Sequence, residues 1–117
     1  MKAVFVENLI LFFPELESEI KNHLAEFPEI YLHLIFGDVF NPFLINLLNN
    51  PQANRTKLVK AGELLENMAC SDENIQEVVV TTILERLSDN PEKLEAFHQF
   101  AGKQTKQFIR KTAETFC

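Results

Sequence analysis

The sequence predicts an all-α fold, and three observations carry that reading. Apolar residues recur at helical spacing in segment after segment, and nowhere alternate with polar ones as in a half-buried strand. The segments open at prolines or at Asn, Ser and Asp, the residue types that start helices. Only three glycines occur in 117 residues, which argues against a turn-rich all-β chain and against a glycine-rich phosphate cradle. The expectation is a single domain over residues 1–117, built from about eight short helices. Asn50-Pro51 and Asn90-Pro91 recur at a period close to that of HEAT repeats, but only the cap and the proline repeat. A HEAT-like stack of helical pairs and an irregular compact bundle therefore both fit.

The elements follow in order. Phe5, Leu9 and Phe12 mark a first helix over Ala3–Phe12. Pro14 opens a second over 14–26, with Glu15 and Glu17 in the first turn, where the helix dipole favours anions. Its stripe is Leu16, Ile20, Leu24 and Phe27, with His23 at the edge. Pro28 opens a short helix through Phe36 that Gly37 can terminate. Asn41-Pro42 starts a helix over 42–49, and Asn50-Pro51 precedes a longer one ending near Cys70 with Leu58, Ala61, Leu65 and Met68 inward. Ser71, Asp72 and Glu73 form the start signal for a helix over 72–88. Val80 and Leu84 widen its apolar face, so it is expected to be central. Asn90-Pro91 opens a helix with Leu94, Phe97 and Phe100 inward. After Gly102 the last helix has the stripe Thr105, Phe108, Ile109, Thr112, Ala113 and Phe116, with Lys103, Lys106 and Arg110 opposite.

Composition bounds the function. A chain of this length can bury about 65% of its unfolded surface, enough for one core. Net charge is −6, which disfavours nucleic-acid backbones and favours neutral or basic partners. That charge is divided unevenly along the chain. Residues 1–50 hold two cations against seven carboxylates, 51–92 four against eight, and 93–117 five against two. Two cysteines, Cys70 and the terminal Cys117, make no disulfide framework and point to a reducing compartment. Glu7 and Asn8 break the first apolar run and no small-residue cleavage site follows, so no signal peptide is expected. Glu29, His33, Asp38 and Asn41 interrupt the aromatic stretch 28–45, and Gly37 and Pro42 punctuate it, so it is no membrane span. The expected location is the cytoplasm.

Three segments resemble one family. His33-Leu-Ile-Phe-Gly-Asp-Val-Phe-Asn-Pro-Phe43 is similar to a motif of small, uncharacterised bacterial helical proteins, a family of unknown function. The run from Glu66 to Val80, continuing through Leu84-Glu-Arg-Leu-Ser-Asp89, resembles its second block, and Gly102-Lys-Gln-Thr-Lys a third, weaker one. The resemblance spans nearly the whole chain. It implies a small soluble helical domain with a role beside a cognate protein, and it lends no catalytic residue. Cys70 sits where such a family would carry a small or polar residue, so its thiol receives no role.

The chemistry-bearing residues form no strong constellation. His23, His33 and His98 are never three or four apart, so no helical metal pair exists, and no metal or cofactor is expected. His33 and Asp38 could form an acid/base pair if the chain folded back at Gly37; a packed ring beside a turn-capping carboxylate is the plainer reading. Cys70 at a helix C-terminus is poorly placed for a thiolate. Lys103, Lys106, Arg110 and Lys111 lack the interleaved aromatics of a nucleic-acid face, and near the acidic N-terminal helices they could serve as internal counter-charges. The aromatic segment around Gly37 is read first as core. If it is a recognition surface, its residues are Tyr31, His33, Asp38, Phe40 and Asn41. The expected function is a non-enzymatic protein-interaction module, in its narrower form an immunity- or antitoxin-like protein binding a basic partner through Glu15, Glu19, Glu26 and Glu29. The alternatives are a structural or regulatory helical adaptor, or a nucleic-acid binder through the C-terminal basic helix.

Overall fold

The computed structural model describes residues 2–27 and 29–116, in which helices alternate with short turns and no strand occurs. Pro28 and Cys117 lie outside the described residues, as do the side chains of Ala113 and Phe116. Seven continuous helical runs make up the described chain. Helix α1 is Lys2–Phe12, and α2 covers 14–26, a 3-10 turn at Pro14–Leu16 leading into Glu17–Glu26. Helix α3 covers 32–48 and α4 is Arg55–Ala69. Helix α5 covers 73–87, α6 is Pro91–His98 and α7 is Lys103–Phe116. The Cα radius of gyration is 13.4 Å, against about 13 Å expected for a compact chain of this length. No helix among the described residues is long and apolar enough to cross a membrane.

The all-α expectation holds, but the middle of the chain is joined differently. Gly37 does not end a helix, and Asn41-Pro42 does not start one. The helix begins later than expected, at Leu32, and runs through both as α-helix (Leu32–Ile35), π-helix (Phe36–Phe40) and α-helix again (Asn41–Leu48). A proline inside a regular α-helix clashes with the carbonyl four residues back. Here the turn before Pro42 is widened, so that Asn41 N–H donates five residues back to Phe36 O. Helix α5 repeats the device. Its run Val78-Val-Val-Thr-Thr-Ile83 is entirely β-branched, which crowds an α-helix. Residues Val78–Leu84 take the π form instead, closed by Glu85 N–H donating to Val80 O.

Start signals vary in how they are used. Asp72 accepts from Ile75 N–H at 3.1 Å and caps α5 as expected. Pro91 opens α6, but the Asn90 side chain makes no cap bond. Asn50 accepts from Ala53 N–H inside a turn at 51–54, and α4 begins only at Arg55. The N-terminus of α7 is capped from outside by Glu66 of α4. Its carboxylate accepts from Gln104 N–H at 3.0 Å, Thr105 N–H at 2.9 Å and Thr105 Oγ1 at 2.8 Å.

Helices pack on non-neighbours: α1 on α4, α3 on α5, and both α4 and α5 on α7. This gives no support to a HEAT-like stack, whose units touch only the next unit. One contiguous apolar core runs from Phe5 to Ile109, with Phe13, Phe36, Phe40 and Phe97 among its largest fully buried side chains. Helix α5 is central, as its widened apolar face requires. Helix α1 carries apolar residues on its outer as well as its inner side, burying Phe5, Val6 and Leu9 while leaving Leu11 73% exposed.

Candidate functional site

The two widened turns pack against each other, and a polar side chain just beyond each reaches the backbone of the other. In the five-back register the carbonyl of Gly37 would take its hydrogen bond from residue 42, but Pro42 has no N–H. Arg86 of α5 supplies the missing donor, its Nη1 lying 2.9 Å from Gly37 O. A Cβ on residue 37 would stand 2.9 Å from the same Nη1, so glycine leaves the guanidinium its space. In the other direction Asn41 Nδ2 donates to Thr82 O at 3.4 Å. His33 Nδ1 and Thr82 Oγ1 share a hydrogen bond of 2.6 Å.

A cleft of about 920 Å³ opens beside this junction. Asp38, Asn41 and Asn46 of α3 and Asn49 just after it form one wall, and Arg86 of α5, Asp89 and Asn90 of the following turn and Lys93 of α6 face them. Leu16 and Glu19 contribute from α2, while Val39, Phe43, Ile45 and Leu87 give the cleft apolar ground. It therefore combines apolar area with amides and charges of both signs, the make-up of a small recognition site.

The five residues singled out from the sequence divide among three places. Asp38 and Asn41 line the cleft. Asp38 is exposed, whereas Asn41 is only 2% exposed and its Oδ1 has no hydrogen-bond partner. Tyr31 and His33 line a separate groove of about 350 Å³ with Leu34, Asn74 and Glu77. There Tyr31 meets Phe27 edge to face at 5.7 Å. Phe40 is fully buried, packed on Phe36 at 5.6 Å and Phe13 at 6.0 Å. It belongs to the core and presents nothing to a partner. His33 and Asp38 line different hollows, so the helix that continues through Gly37 keeps this pair from sharing a pocket.

Cys70 closes α4 and donates to Glu66 Oε2 at 3.4 Å; that acceptor pushes its thiol pKa up. Among the described residues no group of three His, Cys, Asp or Glu could hold a metal. Glu15 pairs with Lys57 of α4 at 2.8 Å, which lowers its carboxyl pKa, so the counter-charge to this part of the acidic face comes from α4. Glu17, Glu19, Glu26 and Glu29 remain exposed.

Arg86, Asp89 and Lys93 carry no local signal in the sequence. Arg86 reads there as an ordinary charge near the end of a helix, and its partner Gly37 lies 49 positions away. A family described as "Domain of unknown function (DUF7674)" has a profile that matches residues 6–117. No curated protein and no solved structure matches the chain.

Proposed function

The chain belongs to the DUF7674 family, and from that premise we propose that it is a non-enzymatic protein-interaction module that binds a basic partner through the acidic surface around α2. The observation that carries this reading is that Glu19 belongs both to the exposed acidic face and to the lining of the cleft beside the α3–α5 junction. Long-range attraction and a docking hollow then lie at one place. Carboxylates so arranged steer a cationic partner during encounter and fix its orientation. Three features favour binding over chemistry: His33 is bonded to Thr82, Asp38 lies in a different hollow from His33, and Glu66 pushes the Cys70 thiol pKa up.

In its narrower form the module is an immunity- or antitoxin-like protein that covers a basic toxin. A regulatory helical adaptor is the alternative, and it predicts several partners competing for the same face. Binding of nucleic acid through Lys103, Lys106, Arg110 and Lys111 is disfavoured by the net charge of −6. The test uses the full chain as bait, alongside variants Glu19→Lys/Glu26→Lys/Glu29→Lys and Lys103→Glu/Arg110→Glu. The expected outcome is one saturable protein partner whose association slows about tenfold in the acidic-face variant and is unchanged in the other. Binding indifferent to the acidic face would refute the reading.

A further inference from the structure

The cleft holds more negative charge than its own cations engage. Arg86 Nη1 is committed to Gly37 O, and Lys93 Nζ donates to Asn49 Oδ1. Glu19, Asp38 and Asp89 line the same cleft, and none of their carboxylates has a hydrogen bond or ion pair among the described residues. Three carboxylates face two cations, an excess of one negative charge. Independently, the Asn41 Oδ1 is a buried acceptor without a donor, in a side chain 2% exposed that lines this cleft. Burial of an unpaired amide oxygen is a cost that an arriving N–H would remove.

Both observations ask for one ligand chemistry, a single positive charge carrying several N–H donors. A guanidinium offers five donors in a planar fork and stays charged, whereas an ammonium is a compact point charge with three. We propose that the cleft takes an arginine side chain of the partner protein. Asp38 and Asp89 hold the guanidinium, the Asn41 Oδ1 accepts one N–H while its Nδ2 stays on Thr82 O, and the aliphatic stem lies on Phe43 and Ile45. This assignment rests on the interaction-module reading and adds to it the residue type that is recognised. Its arrival brings the cleft to charge balance, and Arg86 keeps its structural bond.

The test titrates the isotopically labelled full chain with three capped tripeptides, Gly-Arg-Gly, Gly-Lys-Gly and Gly-citrulline-Gly, followed by NMR. Citrulline keeps the shape of arginine without the charge. The arginine peptide is expected to shift the Asn41 side-chain amide and the Asp38 and Asp89 signals. It should bind about threefold or more tighter than the lysine peptide, and citrulline should leave the spectrum unmoved. The exposed pair Asp38→Asn/Asp89→Asn should weaken the arginine peptide about tenfold while the rest of the spectrum confirms an intact fold. Equal binding by citrulline or lysine, shifts away from the cleft, or an unaffected double variant would each overturn the assignment. A protein partner that depends on the acidic face, with no arginine-peptide shift at Asn41, would sink this inference alone. A peptide shift at Asn41 with no such partner would sink the interaction reading and leave of this inference only the cleft's preference for a guanidinium.

Discussion

At the scale of single residues, two glycines inside helices do opposite work. A Cβ on Gly62 would stand 1.9 Å from the carbonyl oxygen of Phe100, a backbone atom that cannot step aside. Gly62→Ala is expected to destabilise by about 1–3 kcal/mol or more through overpacking, read from urea unfolding. A Cβ on Gly37 would instead meet the far end of the Arg86 side chain. Gly37→Ala gains roughly 0.5–1 kcal/mol of helix propensity and loses the Arg86 bond, so the expected net change is within about 1 kcal/mol. In the sequence Gly37 reads as a helix stop, and Gly62 gives no sign of its close approach to the backbone of Phe100. Both meanings come from atoms brought in by other helices, 49 positions away for Arg86 and 38 for Phe100, so neither was legible locally.

At the scale of elements, the two π-helical turns decide the path of the chain. An internal proline in α3 and a β-branched run in α5 each oppose regular α-helix, and the widened turns of the two helices meet face to face. Arg86 completes the arrangement by donating to the carbonyl that Pro42 leaves without a partner. Arg86→Met should cost about 1 kcal/mol or more, since Gly37 O lies at a buried position. Combined with Pro42→Ala, which restores a backbone N–H at that register, part of the loss should return. A double-mutant cycle should show coupling of about 0.5 kcal/mol or more. Additive losses would mean that the proline and the arginine act separately.

At the scale of the whole molecule, two carboxylates tie distant helices together, and both have lowered pKa values. Lys57 holds Glu15 down by hydrogen bonding and charge. For Glu66, burial pushes the pKa up, but the N–H groups of Thr105 and Gln104 outweigh it and the net shift is down. Their stabilisation is complete above the ordinary carboxylate pKa and disappears as pH falls through the lowered values, where the unfolded chain binds more protons. Thermal unfolding from neutral to acid pH should show this fall, and Glu66→Ala should flatten it while removing about 1 kcal/mol as a lost helix cap. A pH profile identical to that of the parent would discard this role for Glu66. The same long-range pairing explains why α7, basic on its outer face, begins where it does.

The amino-acid order alone determined that the chain is helical, which stripes face inward, where Pro14, Asp72 and Pro91 start elements, and that residues 1–92 are acidic while 93–117 are basic. These are local properties, written in spacings of three and four residues and in side chains that act on their own backbone. Tertiary packing decided that the chain continues through Gly37 and Pro42, that Phe40 belongs inside, and that Asp38, Asn41, Arg86 and Asp89 share one cleft. The physical reason is that a carbonyl orphaned by a proline can be satisfied only by a donor from elsewhere in space. Which donor arrives is fixed by how α3 meets α5.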